Sequence, residues 1–235
     1  MIGAWCMRPT KKQLDVAKKC GIGRLHLMVN DHSFDRKPTA FRIDTKAREY
    51  ARMITDAGIE LHITSWIMPH VEFLTRACAE LVQLSLDTGA CSIEWDAEAP
   101  WTHAAGGMPW DQAAAMMQLY GSREGVSGIG YTKRAALAPL VARADYVTPQ
   151  AYVTRTSGLQ LAGIPSVLER WKGMVTKATI IPALAAYSQP PDGIVNSWKH
   201  AGKPDTVMLW ALRHLNSSYD YSAIADLRNA MEATR

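Results

Sequence analysis

Several familiar catalytic and cofactor templates are missing from this 235-residue chain. It has no G-x-S-x-G elbow, no Walker A loop and no G-x-G-x-x-G behind its first strand; Gly121, Gly128 and Gly130 do not complete the last pattern. A nucleotide cofactor therefore has no support, and no cofactor is expected. Cysteine is scarce: Cys6, Cys20, Cys78 and Cys91 lie far apart with no C-x-x-C, which excludes a dense disulfide framework and reads as free thiols in a reducing compartment. No apolar run approaches the ~20 residues of a membrane helix. The chain opens directly on a strand pattern rather than on a basic stretch followed by an apolar one. Synthesis in the cytoplasm without a signal peptide, and no membrane partner, are the expectations. Basic residues are no denser than Lys11, Lys12, Lys18, Lys19 and Arg24 within a net charge of +4. That is the pattern of a solvated helix face. With no zinc-finger spacing, RNA-recognition motif or Arg-rich arm, nucleic acid is not an expected partner.

What the chain does have is a repeated unit. Short β-branched or aromatic runs at residues 2–7, 24–29, 59–66, 91–96, 127–131, 146–152, 179–185 and 206–212 alternate with longer amphipathic stretches. Thr10 is placed to cap the first of these helices, and Gly21, Gly58 and Gly89 follow helical stretches. Eight strand–helix pairs predict an α/β fold, a (β/α)₈ TIM barrel, a class that commonly runs to about 250 residues as one unit. With no low-complexity linker, residues 1–235 read as a single domain, expected to be monomeric.

Active sites of such barrels lie at the C-terminal ends of the strands. There the fourth strand offers Glu94, Asp96 and Glu98, spaced by two and so projecting to one side, with Cα atoms about 6.5–7 Å apart. Crowded, poorly solvated carboxylates raise the pKa of at least one member, which makes a general acid. Cleaving a glycosidic bond needs such an acid and a second group at the oxocarbenium-like centre, and carboxylates about 5–5.5 Å apart suit retention. Glu98 and Asp96 are thus the candidate catalytic pair, with Glu94 beside them for substrate binding. An ion-pair network with nearby Lys or Arg would use the same three residues structurally. Gln150 and Tyr152, ending the sixth strand, are placed to hydrogen-bond a substrate carbonyl or amide. Trp210 and Trp66 offer a flat apolar floor for a sugar ring, and Trp101 and Trp110 flank the loop behind the fourth strand. Asn30 opens a long loop, 30–42, of the kind that carries function. His26, His62, Asp31 and His32, with Asp96 and Glu98, provide an alternative: a metal-dependent deacetylase or amidase. No H-x-H or H-E-x-x-H supports it, and no metal is expected. A catalytically silent barrel that only binds glycan is a further alternative.

The stretch Cys91-Ser92-Ile93-Glu94-Trp95-Asp96-Ala97-Glu98-Ala99-Pro100 resembles the D-G-I-D-I-D-W-E-Y-P motif of family 18 glycoside hydrolases, the chitinases and related endo-N-acetylglucosaminidases. Cys91 and Glu94 stand where that motif has its first two aspartates. The resemblance implies that Glu98 is the proton donor and that Asp96 orients a substrate N-acetyl group whose oxygen is the nucleophile. It implies further that Tyr152 assists that group and that Trp210 lies under the sugar. The Asp-x-Glu core is also similar to the fourth-strand motif of family 25 lysozymes, which additionally use an Asp on strand one; residues 2–7 contain none. The expectation is a glycosidase acting on an N-acetylhexosamine polysaccharide, with peptidoglycan first and a chitin-like chain second. A compact barrel of this type also resembles phage-encoded endolysins that act on the cell wall.

Overall fold

In the computed structural model, which describes residues 1–30, 41–103, 107–119, 121–130, 133–155, 158–188, 192–215 and 218–234, strands and helices alternate from the first residues onward. β1 (Ile2–Cys6) leads to α1 (Lys11–Lys19), β2 (Ile22–Met28) to α2 (Ala47–Asp56) and β3 (Glu60–Trp66) to α3 (Val71–Thr88). β4 (Ile93–Asp96) is followed by a short α4 (Ala99–His103) and by α5 (Trp110–Met116), and β5 (Glu124–Ile129) by α6 (Arg134–Val141). Next come β6 (Tyr146–Gln150) and α7 (Ile164–Lys172), the pair β7 (Thr179–Ile180) and β8 (Ala183–Ala185), and α8 (Gly193–His200). β9 (Val207–Trp210) and α9 (Ser218–Glu232) complete the series. The strands pair in parallel, and the β5–β6 and β1–β9 pairings close the sheet on itself. The result is the expected (β/α)₈ barrel.

Local chemistry explains the element ends. Thr10 accepts a hydrogen bond from Gln13 N while the Gln13 side chain accepts from Thr10 N, a reciprocal cap of α1 that contributes about 1 kcal/mol. α3 stops at Gly89, whose φ of 66° is left-handed and costs glycine little. The seventh stave is split because Pro182 has no N–H to give. Its neighbours keep the sheet continuous: Ile181 N donates to Val147 O at 2.8 Å, and Met208 N donates to Pro182 O at 2.9 Å.

Several expected boundaries shift: the second strand begins at Ile22 rather than at 24, the fourth at Ile93 rather than at 91, and the sixth ends at Gln150 rather than at 152. The fifth strand begins at Glu124 rather than at 127, and α4 occupies part of a stretch read as loop. Glu124 is a buried carboxylate, bonded by Leu119 N at 2.7 Å and paired with Arg143 at 3.1 Å, so a charged residue opens a strand inside the protein.

Apolar packing lies mostly between the strands and the helices. α3 contributes Phe73, Leu74, Ala77, Leu81 and Leu84, a stripe at spacings of one, three and four, and each buried leucine is worth about 1.5–3 kcal/mol. Inside the barrel the balance is different. His26, His62, Thr64, Glu94, Asp96 and Thr148 are all buried there, His26 and His62 edge-on to the ring of Tyr146. Gly125 makes room for that ring, since a Cβ on it would lie 2.1 Å from Tyr146 Cζ.

Candidate active site

Alternation along β4 sends Ile93 and Trp95 outward into the apolar layer and Glu94 and Asp96 inward. Glu94 is fully buried and surrounded by donors from three other strands. Trp5 Nε1 donates to Oε1 at 2.7 Å, Thr64 Oγ1 to Oε1 at 3.1 Å and Thr148 Oγ1 to Oε2 at 2.9 Å. His26 Nδ1 lies 3.3 Å from Oε2. Burial pushes the Glu94 pKa up, but the neighbouring His26 and the bonds from Trp5 and Thr148 outweigh it and hold it below the usual glutamate value.

Asp96, one step nearer the mouth, has the opposite balance. It pairs in register with Trp66 on β3 and Ser127 on β5, and Ser127 Oγ donates to its Oδ1 at 3.1 Å. Burial, then the charges of Glu98 and Glu94, raise its pKa well above the usual aspartate value. Two neighbouring carboxylates thus have opposite balances: the surroundings of the deeper one favour its charged form and those of the shallower one disfavour it. Glu98, just beyond the strand, is half-buried, and its Oε1 accepts from Gln150 Nε2 at 2.7 Å.

Tyr152, two residues past Gln150, brings a buried hydroxyl that has no hydrogen-bond partner among the described residues. Burial, followed by Asp96 and Glu98, raises its pKa well above that of a free tyrosine, so it is a neutral donor. A buried hydroxyl left unpaired costs about 1–3 kcal/mol, a cost removed when a ligand supplies an acceptor. Gln150, which ends β6, and Tyr152, two residues beyond the strand rather than on it, are therefore brought to the carboxylates.

The expected aromatic floor is divided. Trp210, half-buried at the end of β9, packs 5.9 Å from Trp5 with Arg213 over its ring at 5.8 Å, and the peptide joining it to Ala211 is cis. With Trp5, Met7, Met28 and Arg213 it lines a shallow depression. Trp66 is buried and packs edge-on against Phe73 at 6.3 Å. Asn30 uses its amide on backbone: Nδ2 donates to Trp66 O at 2.8 Å and Trp66 N donates to Oδ1 at 2.9 Å. It locks the ends of β2 and β3 together. Trp101 and Trp110 close the structure behind β4, Trp101 Nε1 donating to Ala136 O and Trp110 Nε1 to Trp101 O.

The histidines do not join the carboxylate pair as metal ligands. His26 and His62 stack on each other at 4.5 Å, His26 beside Glu94 and His62 between Glu60 and Ser92. Burial, then His26, Arg24 and Arg123, press the His62 pKa down to about 2. Among the described residues, the group able to hold an ion does not include Asp96 or Glu98; Asp31 and His32 lie outside the described residues. The residues missed in the sequence are the supports: Trp5, Thr64, Ser127 and Thr148. Each occupies an inward position of its strand, a signal that can be used only once the partner strands are known.

No protein-family profile and no curated protein sequence matches the chain. Solved structures do. A chitinase from Bacteroides thetaiotaomicron superposes with a TM-score of 0.71 at 10% identity, over 98% of this chain and 96% of that one. A GH18 chitinase from Flavobacterium johnsoniae gives 0.67 at 11% identity, over 99% of this chain and 94% of that one. A family 39 glycoside hydrolase from Bacteroides cellulosilyticus gives 0.67 at 8% identity, over 96% of this chain and 62% of that one. At these identities the likeness is one of fold, and the chain shares the (β/α)₈ barrel of these hydrolases.

Proposed function

We propose that this protein is a retaining glycoside hydrolase that cleaves N-acetylhexosamine polymers with the help of the substrate's own N-acetyl group. The observation that carries the reading is the unpartnered, buried Tyr152 hydroxyl beside Asp96, whose pKa is raised, and a half-buried Glu98. An N-acetyl group matches that arrangement: its carbonyl oxygen accepts from Tyr152, and its N–H faces Asp96. Glu98 is the acid. Gln150 donates to Oε1, which leaves Oε2 to carry the proton to the leaving glycosidic oxygen. The carbonyl oxygen attacks the anomeric carbon as that bond breaks, and water then opens the cyclic intermediate while Glu98 takes a proton back. Trp210, exposed in part at the mouth, supports the sugar face.

A chitin-like chain is the preferred substrate over peptidoglycan. The chitinases among the fold neighbours support it, and β1 carries no carboxylate of the kind the lysozyme resemblance requires. The test is release of reducing ends from chitin oligosaccharides, fully deacetylated chitosan and peptidoglycan. Cleavage of the first, none of the second, and a drop of about 10²–10⁴-fold in Glu98→Gln are expected. An unaltered rate in that variant, or equal cleavage of the deacetylated polymer, overturns the mechanism.

A further inference from the structure

At the opposite end of the barrel, the N-terminal ends of β3 and β4 bring together three side chains that the hydrolytic site does not use. Glu60 opens β3, His62 lies two residues on, and Cys91 is drawn alongside by the bond from its N to Leu61 O at 2.8 Å. The glutamate oxygen, imidazole nitrogen and thiol sulfur all lie within 4.8 Å of one another. We propose that Glu60, His62 and Cys91 form a binding site for a borderline-soft divalent transition metal of the zinc class.

The donor set suits such an ion. Thiolate, imidazole and carboxylate are the ligands zinc takes, whereas magnesium and calcium call for oxygen alone. His62 is oriented from behind: its Nδ1 lies 2.5 Å from Ser92 Oγ, and its Nε2 faces Glu60 Oε1 at 2.6 Å. Such support of the second ring nitrogen is what metal-bound histidines ordinarily have. On binding, the single proton of the neutral ring sits on Nδ1 and donates to Ser92 Oγ, which leaves the Nε2 lone pair for the metal, while the thiol releases its proton to solvent. Thiolate and carboxylate together then balance the two positive charges. That balance matters here, because Arg24 Nη2 sits 3.0 Å from Glu60 Oε1 and Arg123 lies nearby. A cation without the thiolate would be repelled.

Tetrahedral zinc, with bonds of about 2.0–2.3 Å, places its ligand atoms about 3.3–3.7 Å apart. Any pair near the 4.8 Å limit must therefore draw in by about 1 Å, while His62 Nε2 and Glu60 Oε1, at 2.6 Å, must part by about as much. Cys91 can supply the movement, since it is exposed and lies just outside β4. It also lines a cleft of about 290 Å³ with Ser92, Gly121, Ser122 and Arg123. Three protein ligands leave the fourth position to water or to a small ligand, on the side where Cys91 lines the cleft.

Cobalt(II) titration of the full chain, after chelator dialysis, tests the site. One equivalent should bind with a thiolate-to-cobalt charge-transfer band that zinc abolishes. Cys91→Ser, a conservative change at the surface, should remove the band entirely while the circular dichroism is unchanged. Glu60→Gln should weaken binding at least tenfold. With zinc at about one hundred times its Kd, Tm should rise by about 5–10 °C. Absence of the band, or its persistence in Cys91→Ser, overturns the proposal.

Discussion

Glu94 is where the stability of the barrel interior and the chemistry of its mouth meet, and its removal has a calculable result. Glu94→Ala strands three donors in a fully buried space: Trp5 Nε1, Thr64 Oγ1 and Thr148 Oγ1. Each unpaired buried donor costs about 1–3 kcal/mol. Thr148 can fall back on Val126 O at 3.4 Å, and water can enter the space left by the carboxyl, so the net loss should be about 3–5 kcal/mol. For a chain of this size that is a fall in Tm of about 6–20 °C. Glu94→Gln keeps an acceptor for Trp5 and Thr64 and no longer buries a charge, so it should cost about 1–2 kcal/mol at neutral pH. Urea unfolding followed by tryptophan fluorescence measures both. The pH dependence supplies a second readout. Because the folded state holds the Glu94 pKa below the ordinary value, its stabilisation is present above the ordinary value and is lost as the pH falls from there through the lower folded one. Glu94→Gln should flatten that acid limb. Equal losses in the two variants, or a Glu94→Ala protein within about 1 kcal/mol of the parent, would refute the picture of a buried charge held by its donors.

Asp96 has the reverse sign. Its folded pKa is raised, so its favourable contribution is complete below the ordinary aspartate value and disappears as the pH rises through the folded one. Asp96→Asn should lose hydrolysis yet be at least as stable as the parent at high pH in thermal melts; a lower Tm there contradicts the assignment. Tyr152→Phe removes a polar atom without a partner, so its urea midpoint should hold or rise. Its hydrolysis of N-acetylated oligosaccharides should fall by about 10²–10³-fold, the loss typical of one positioned donor, and an unaltered rate separates Tyr152 from the reaction. Gly125→Ala sets a Cβ 2.1 Å from Tyr146 Cζ, a ring held by Ser92 at 2.8 Å. It should cost about 1–3 kcal/mol in urea unfolding, and a neutral result would show that the ring can move.

The alternation of strand and helix, the Thr10 cap and the inward phase of Glu94, Asp96 and Glu98 are readable from residues close together in the chain. So is the arrival of Gln150 and Tyr152 at the end of the sixth strand. Each of these depends on local periodicity or on a fixed turn, which any short segment carries within itself. The contrary cases are just as specific. A buried Glu124 opens β5 because Arg143 and Leu119 reach it, and Asn30 serves the backbone of Trp66 because β2 and β3 end side by side. Periodicity tells which face a residue presents, but not which residue lies across from it. The donors around Glu94, the burial and neighbouring charges that raise the Asp96 pKa and the meeting of Glu60, His62 and Cys91 are set by register between strands and by closure of the sheet. Those are long-range pairings, and only the tertiary structure decides them.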